Sequence, residues 1–339
     1  MYRAPWWLPG GNLQTLYAAL AGHPAANWKR DRWDTPDGDF IDIDRQSGAA
    51  GSPLVALFHG LEGDSHSHYA GALARELARR GWGCTVPHFR GCSGEPNKLP
   101  RAYHSGDAEE LGWILRRLRN ETPPEAPLFA VGVSLGGNVL LKWLGEDLEA
   151  SKVLTAAAAV SAPVDLMAAG EALGRGFNRV YTRAFLATLK KKGEQKLRQF
   201  PGLFDGQAMR RARTLRDFDG IVTAPLHGFR DTDDYWTRAS AKPVLRRIRV
   251  PTLLINSRND PFLPSAALPR ANEVSEFVCC EFPREGGHAG FVSGPFPGNL
   301  HWLPRRVAGF FAEAMARSTG GSPGRADGIM AASSVAYSQ

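Results

Sequence analysis

Runs of apolar residues alternate with amphipathic segments along the first half of the chain. Residues 53–60 (PLVALFHG), 83–91 (GCTVPHFRG) and 128–133 (LFAVGV) are continuous apolar runs, as expected for strands buried on both faces of a sheet. Between them, residues 68–82 and 105–120 place apolar side chains at helical spacing. This order predicts the α/β class, with a mostly parallel central sheet and helices on both of its faces.

The pattern extends in both directions along the chain. Residues 28–45 alternate apolar and polar positions around Asp37-Gly38, which predicts an antiparallel hairpin. Residues 153–163 (VLTAAAAVSAP) are interpreted as a strand, because the neighbouring elements outweigh the helix preference of alanine. The buried-strand pattern then returns at residues 249–261 and 276–288. Ser105 is the predicted N-cap of the helix that begins there.

Residues 164–244 interrupt this pattern with a mainly helical insertion. Such an insertion is expected to form a cap over the carboxyl edge of the sheet, where ligands bind in this architecture. We therefore predict five segments along the chain: an N-terminal arm (1–27), a core in two parts (28–163 and 245–316), the cap (164–244) and a disordered tail (317–339).

The composition narrows the range of partners. The net charge is +7, from 41 Lys and Arg against 34 Asp and Glu, but the basic residues are spread as pairs along helices. A generally basic, solvated surface is therefore expected, without nucleic-acid binding. Residues 190–198, which hold four lysines and an arginine, leave peripheral contact with an anionic membrane open.

The chain is also expected to be cytoplasmic and to need no metal or cofactor. Its four cysteines lack the spacing of a zinc site and are interpreted as free thiols in a reducing compartment. The first residues do not match a secretory signal, since a Pro-Gly-Gly break interrupts them. No run approaches the roughly 18 apolar residues of a membrane-spanning helix, so insertion into a membrane is not expected. The oligomeric state is not predicted.

Ser134 stands where an apolar strand turns into a helix, within the motif Gly132-Val-Ser-Leu-Gly136. The motif alone is weak, but its strand-turn-helix context is that of a nucleophile elbow. The turn brings the residues two before and two after the serine close together. Glycine at those positions avoids a Cβ clash and leaves the hydroxyl exposed at the sheet edge. Ser134 is therefore the candidate nucleophile.

A serine nucleophile needs a base held within hydrogen-bonding distance. Asp260 follows one late strand and His288 the next, so both are expected at the same sheet edge as Ser134, in the chain order serine, acid, histidine. His88 and His104 precede the serine, against that order. Turn or surface-loop roles for Asp260 and His288 are the alternatives.

Two backbone N–H groups are the candidate oxyanion donors. The N–H of Leu135 lies at the start of the helix after Ser134, where the helix dipole is positive. The N–H of Leu61 lies in the loop that follows the strand of residues 53–60, where Gly60 lets the backbone turn toward the site. His59, in the same loop, is interpreted as a structural histidine.

Six segments together resemble the YheT-like group of α/β-hydrolases. They are residues 8–15 (LPGGNLQT), 59–69 (HGLEGDSHSHY), 89–107 (FRGCSGEPNKLPRAYHSGD), 132–138 (GVSLGGN), 259–264 (NDPFLP) and 286–291 (GGHAGF). The resemblance covers the chain from about Pro5 to Phe311. It implies the α/β-hydrolase fold, esterase activity or action on lipid esters, and Ser134, Asp260 and His288 as a catalytic triad.

Three functions are compatible with these residues. The first is hydrolysis of carboxylic esters, short- to medium-chain or lipid-like, through an acyl-serine intermediate. The second transfers the same acyl group to an alcohol. The third, a non-catalytic lipid-binding module, fits less well because the triad is intact. An apolar stripe in the cap either packs on the core or, with Trp6 and Trp7, walls an acyl tunnel; it consists of Phe177, Tyr181, Phe185, Leu186 and Leu189.

Overall fold

The computed structural model describes residues 2–20 and 26–319. Within them, one sheet of eight strands runs through the molecule in the order β1-β2-β4-β3-β5-β6-β7-β8. The strand β2 is antiparallel to both of its neighbours, and all pairings from β4 to β8 are parallel. The strands are β1 (Lys29–Asp34), β2 (Phe40–Gln46), β3 (Leu54–Phe58), β4 (Gly83–Pro87), β5 (Leu128–Val133), β6 (Ala156–Val160), β7 (Thr252–Ile255) and β8 (Val278–Glu281).

The predicted fold class is confirmed, including the hairpin and the alanine-rich strand. Helices cover the sheet on both faces. The α-helices are α1 (Gly11–Leu20), α2 (His68–Arg79), α3 (Ala108–Glu121), α4 (Leu135–Glu146), α5 (Ala150–Val153), α6 (Leu166–Leu173), α7 (Arg179–Gln199), α8 (Gly206–Arg211), α9 (Leu215–Phe218), α10 (Ala224–Leu226), α11 (Thr232–Ala239) and α12 (Trp302–Thr319).

Two apolar layers account for the lack of alternation in the strands. On one face, Leu115 of α3 and Val139 of α4 are fully buried against the sheet. On the other, Leu77 of α2 and Phe311 of α12 are fully buried in the same way. A strand covered on both faces has no side that favours polar residues, which explains the continuous apolar runs of the central strands.

Residues 164–244 contain helices and no strand, and the structure describes all of them. Helices α6 to α11 lie here, between β6 and β7, with a π-helical turn at Asp219–Thr223. The helices of the described residues include none that is both long and apolar enough to cross a bilayer.

Two local predictions differ from the structure. Helix α3 begins at Ala108, with Asp107 and not Ser105 as its N-cap. Ser105 instead contacts the helical insertion of residues 164–244, because its N–H donates to the Tyr235 hydroxyl (2.8 Å). Helix α12 continues to Thr319, past the predicted end of the core at residue 316. The rest of the predicted tail, residues 320–339, lies outside the described residues, as do residues 1 and 21–25 of the predicted arm.

Candidate active site

Ser134 occupies a sharp turn between β5 and α4. Its backbone has φ +54° and ψ −122°, a conformation that residues other than glycine rarely adopt. A Cβ atom on Gly132 would lie 2.4 Å from the carbonyl oxygen of Gly136, and a Cβ on Gly136 would lie 2.4 Å from that of Phe58. Both contacts are far too short, so this turn can form only with glycine at these two positions. The serine hydroxyl is thereby held at the carboxyl edge of the sheet.

The structure brings the three predicted triad side chains together. Nε2 of His288 lies 2.8 Å from Oγ of Ser134, and Nδ1 lies 2.9 Å from Oδ2 of Asp260. The Asp260 carboxylate is completely buried, and its Oδ1 also accepts the N–H of Phe262 (2.8 Å). These contacts give the histidine the orientation that a general base for Ser134 requires.

Two late strands account for this convergence. Asp260 follows β7 and His288 follows β8, and both strands run parallel to β5, which ends beside Ser134. The Phe262 ring stacks on the imidazole, with ring centroids 3.9 Å apart and planes 23° from parallel. The aromatic ring covers one face of His288 and limits its rotation.

Helix α1 of the N-terminal arm supports the histidine loop. The Thr15 hydroxyl oxygen accepts the N–H of His288 (2.8 Å), and the Gln14 amide oxygen accepts the N–H of Gly286 (2.8 Å). Both Gln14 and Thr15 are buried. This support was not predicted from the sequence. The adjacent polar residues Gln14 and Thr15, within the otherwise mostly apolar segment of residues 13–20, were a signal for it.

The two predicted oxyanion donors border the site. A Cβ on Gly60 would lie 3.1 Å from Cβ of Ser134, so the loop after β3 passes directly beside the serine. The N–H of Gly60 is already bound to the Tyr69 hydroxyl (2.9 Å). For Leu61 and Leu135, the described part of the chain offers no backbone hydrogen-bond acceptor, and both residues line the adjacent cavity. Their role as donors remains a prediction.

Both ring nitrogens of His59 are bound to backbone groups of the neighbouring loops and not to Ser134. His59 is fully buried, with Nδ1 2.8 Å from the Gly60 carbonyl oxygen, and its Nε2 accepts the N–H of Phe89 (3.1 Å). Burial lowers the pKa of His59 to about 3, so the ring is neutral. His59 therefore orders the loop that carries Leu61. His88, which also precedes Ser134 in the chain, is hydrogen-bonded to Asp44 (2.8 Å).

A cavity of about 160 Å³ opens beside Ser134, between the core and residues 164–244. Its walls are mainly apolar, and Phe185, Leu189, Phe218 and Trp236 from the helical insertion are among them. Of the predicted apolar stripe, only Phe185 and Leu189 line this cavity. The other members of the stripe, Phe177, Tyr181 and Leu186, lie outside its lining.

Trp6 and Trp7 do not line the cavity either, which contradicts the alternative in which they help to wall an acyl tunnel. Trp6 is 91% exposed. The Trp7 ring packs edge-on against Tyr17 and Phe296, with centroids 5.2 and 5.4 Å away. The two tryptophans therefore belong to the surface around α1 and not to the pocket.

Two lysines of the basic run turn inward. Nζ of Lys192 lies 2.8 Å from a carboxylate oxygen of Glu62, the residue after the predicted donor Leu61. Nζ of Lys196 donates to the carbonyl oxygen of Asn97 (2.8 Å). These lysines attach α7 to the core, so the run is less available to a membrane than its sequence indicates.

Comparisons with known proteins agree on one family. The family model described as the alpha/beta hydrolase fold matches residues 53–295. The Escherichia coli protein named "Putative esterase YheT" is 40% identical over 81% of this chain and 82% of its own length. The human protein named Phospholipase ABHD3 is 30% identical over 93% of this chain and 78% of its own length.

A solved structure shows the same fold at low sequence identity. The esterase Pf2001 of Pyrococcus furiosus superposes with a TM-score of 0.53 and 16% identity, covering 86% of this chain and 91% of that protein. At this identity the likeness concerns the fold alone.

Proposed function

The chain belongs to the α/β-hydrolase fold family, and from that premise we propose that it hydrolyses carboxylic esters through an acyl-serine intermediate. The observation that carries the proposal is the continuous contact from Asp260 through His288 to Ser134, with distances of 2.9 and 2.8 Å. Relatives named esterase and phospholipase support ester cleavage as the reaction.

In the first half of the reaction, Ser134 Oγ attacks the ester carbonyl carbon while its proton passes to Nε2 of His288. Asp260 accepts the Nδ1–H bond and stabilises the imidazolium that forms. The imidazolium then gives its proton to the leaving alcohol. In the second half, water attacks the acyl carbonyl carbon and loses its proton to the same nitrogen. The imidazolium then returns this proton to Ser134 Oγ as the bond to the acyl group breaks and the acid leaves.

The tetrahedral intermediates carry negative charge on the former carbonyl oxygen. We assign the two N–H donors for this oxygen to Leu61 and Leu135. Leu135 is the first residue of α4, and the N–H groups in the first turn of a helix have no acceptor within the helix. A preorganised donor of this kind contributes about 2.7–4 kcal/mol to stabilising the transition state.

The cavity supports esters with an apolar acyl chain as the substrate class. Besides Ser134, its lining includes the apolar side chains of Leu135, Leu166, Phe185, Phe218 and Phe262. Each methylene moved from water to such a wall contributes about 0.8 kcal/mol. Turnover is therefore expected to rise from acetate to medium-chain esters and to fall once the acyl chain exceeds the cavity.

The test combines covalent labelling with turnover. A fluorophosphonate is expected to label the native protein on the peptide that contains Ser134 and to abolish hydrolysis of p-nitrophenyl esters. Ser134→Ala is expected to lose both labelling and turnover with an unchanged urea denaturation curve. Ser151→Ala, at an exposed position, is the matched control and should keep both. Full turnover by Ser134→Ala would refute the proposed nucleophile.

The acyl acceptor is tested separately. We propose that it is water, with the free acid as the product. Added ethanol or glycerol is expected to yield little ester product, measured by chromatography of a radiolabelled acyl group. If ester becomes the main product, the acyl-serine mechanism stands and the protein is an acyltransferase.

A further inference from the structure

Most of the large apolar side chains that are exposed on this protein come from three segments of the chain. Seven are exposed in the described residues, and Leu148, at the far end of α4 from Ser134, is one of them. The other six are Trp6, Leu13, Leu20, Phe177, Val180 and Phe296. They come from three segments: the N-terminal arm, the residues around the start of α7 and the loop before α12. Scattered exposed apolar residues are ordinary, whereas apolar residues that form one contiguous exposed patch are typical of an interaction site.

Side-chain contacts join the three segments into one face around α1. Trp7, next to Trp6, packs on the Phe296 ring, and the Tyr17 hydroxyl donates to the Pro297 carbonyl oxygen (2.7 Å). On the other side of α1, the Tyr181 hydroxyl lies 3.0 Å from the Asn12 amide oxygen. The Phe177 ring contacts the ring of Tyr181 with centroids 6.2 Å apart. We call the six exposed residues and their immediate surroundings the α1 face.

The polarity of α1 is the reverse of that of an ordinary surface helix. Its buried residues include Gln14 and Thr15, which bind the histidine loop, whereas Leu13 and Leu20 are 53% and 80% exposed. A surface helix in water normally places its apolar residues inward and its polar residues outward. The outer side of α1 is therefore suited to an apolar medium and not to water.

Exposed basic side chains lie close in sequence to several of these apolar residues, in the N-terminal arm and around the start of α7. Arg3, Arg179 and Arg183 are exposed in the same two segments, and the exposed Arg175 pairs with Glu171 (3.2 Å). Aromatic and aliphatic side chains flanked by arginines are typical of surfaces that enter the headgroup region of anionic bilayers.

We propose that the α1 face docks on an anionic lipid surface. The face adjoins the candidate active site, since the Asn178 amide donates to the Pro261 carbonyl oxygen (2.6 Å) and the Tyr181 ring packs on Phe262. Docking would therefore hold Ser134 and its cavity close to the membrane. The proposal does not depend on ester hydrolysis, because binding to vesicles is measured without turnover.

The experiment sediments the full-length protein with vesicles of equal parts phosphatidylcholine and phosphatidylglycerol, and with vesicles of phosphatidylcholine alone. We expect salt-sensitive binding to the mixed vesicles. Trp6→Ser combined with Phe177→Ser is expected to lower the partition coefficient about tenfold or more. Arg179→Glu combined with Arg183→Glu is expected to weaken binding in the same direction. Leu148→Ser, with an 86% exposed leucine outside the face, should bind like the native protein.

The urea denaturation curve should be unchanged in all three variants, which shows that they are folded. Absence of binding by the native protein, or equal losses in the Leu148 and Trp6/Phe177 variants, would overturn the proposal. Equal binding to both vesicle types would overturn the anionic requirement. Light scattering measures the oligomeric state. If the native protein is a dimer that binds no vesicles, and the Trp6/Phe177 variant is a monomer, then the face joins two copies of this chain.

Discussion

Thr15→Val removes one hydroxyl from α1 while keeping nearly the same side-chain shape. In the native protein the hydroxyl oxygen accepts the backbone N–H of His288 (2.8 Å), and its hydrogen is donated to the Gly11 carbonyl oxygen (2.7 Å). Thr15 is 7% exposed and His288 is 9% exposed, so water reaches neither group freely. The variant therefore leaves a buried N–H without an acceptor, directly on the residue proposed as the base.

The size of the effect follows from that unpaired group. Leaving a buried donor unsatisfied costs about 1–3 kcal/mol. If the histidine loop stays in place, the free energy of unfolding falls by this amount. If the loop moves so that water reaches the N–H, Nε2 of His288 leaves Ser134. The same 1–3 kcal/mol then appears as a decrease of roughly 5- to 150-fold in kcat/KM, since about 1.4 kcal/mol corresponds to tenfold.

The assay measures both quantities on the same preparation, by urea denaturation and by kcat/KM for a p-nitrophenyl ester. Thr15→Ser, which keeps the hydroxyl and removes only a methyl group, is the matched control and should stay close to the native protein. If Thr15→Val equalled Thr15→Ser in both unfolding free energy and kcat/KM, the view that α1 positions the histidine would be refuted.

Two further variants probe the contacts around the cavity. Lys192→Met should lower the free energy of unfolding by about 1–3 kcal/mol, because it leaves the buried Glu62 carboxylate without its cation. The control is Lys191→Met, at the exposed neighbouring position, which should change this free energy by less than about 0.5 kcal/mol. Asp219→Asn tests a carboxyl whose burial raises its pKa from 3.8 to about 6. At a pH between these two pKa values, Asp219 keeps its proton in the native state and has lost it in the unfolded chain. The free energy of unfolding therefore falls as pH rises through this window. The variant should therefore gain stability relative to the native protein above pH 6 and not near pH 4, and parallel stability-against-pH curves would contradict this.

The sequence alone was sufficient for the sheet and for the three converging side chains. The central strands are continuous apolar runs of about five residues bounded by turn residues, a pattern that both-face burial produces and few other structures share. Parallel strands end at the same edge, so the positions of Asp260 and His288 after consecutive strands predicted their meeting with Ser134. The glycines two positions before and after Ser134 indicated a turn too tight for a Cβ atom. The short distances that a Cβ would make at Gly132 and Gly136 agree with this.

The cap was harder to predict from its sequence. Its apolar stripe at helical spacing is compatible with packing on the core, with lining a cavity and with exposure to solvent, because helical periodicity does not say what lies opposite a helix. The structure divides that stripe: Leu186 is buried, Phe185 lines the cavity and Phe177 is 54% exposed. The lysines of α7 posed the same difficulty, since a run of like charges gives no indication that Lys192 meets a glutamate 130 residues away.

The role of the N-terminal arm has a consequence for how the site forms. Hydrogen bonds from Gly286 and His288 to α1 join residues 272 and 273 positions apart in sequence. Until α1 is in place, those two N–H groups have no partner, and an unpaired buried donor is costly. The docked arm therefore adds to the stability of the histidine loop, which Asn259 and Ser161 also hold through the N–H groups of Gly287 and Ala289. Since the same helix bears Leu13 and Leu20 on its outer side, a surface that binds these leucines would also hold α1 against the histidine loop. Docking on lipid would then stabilise the catalytic arrangement, and ester turnover should rise in the presence of the vesicles that the protein binds.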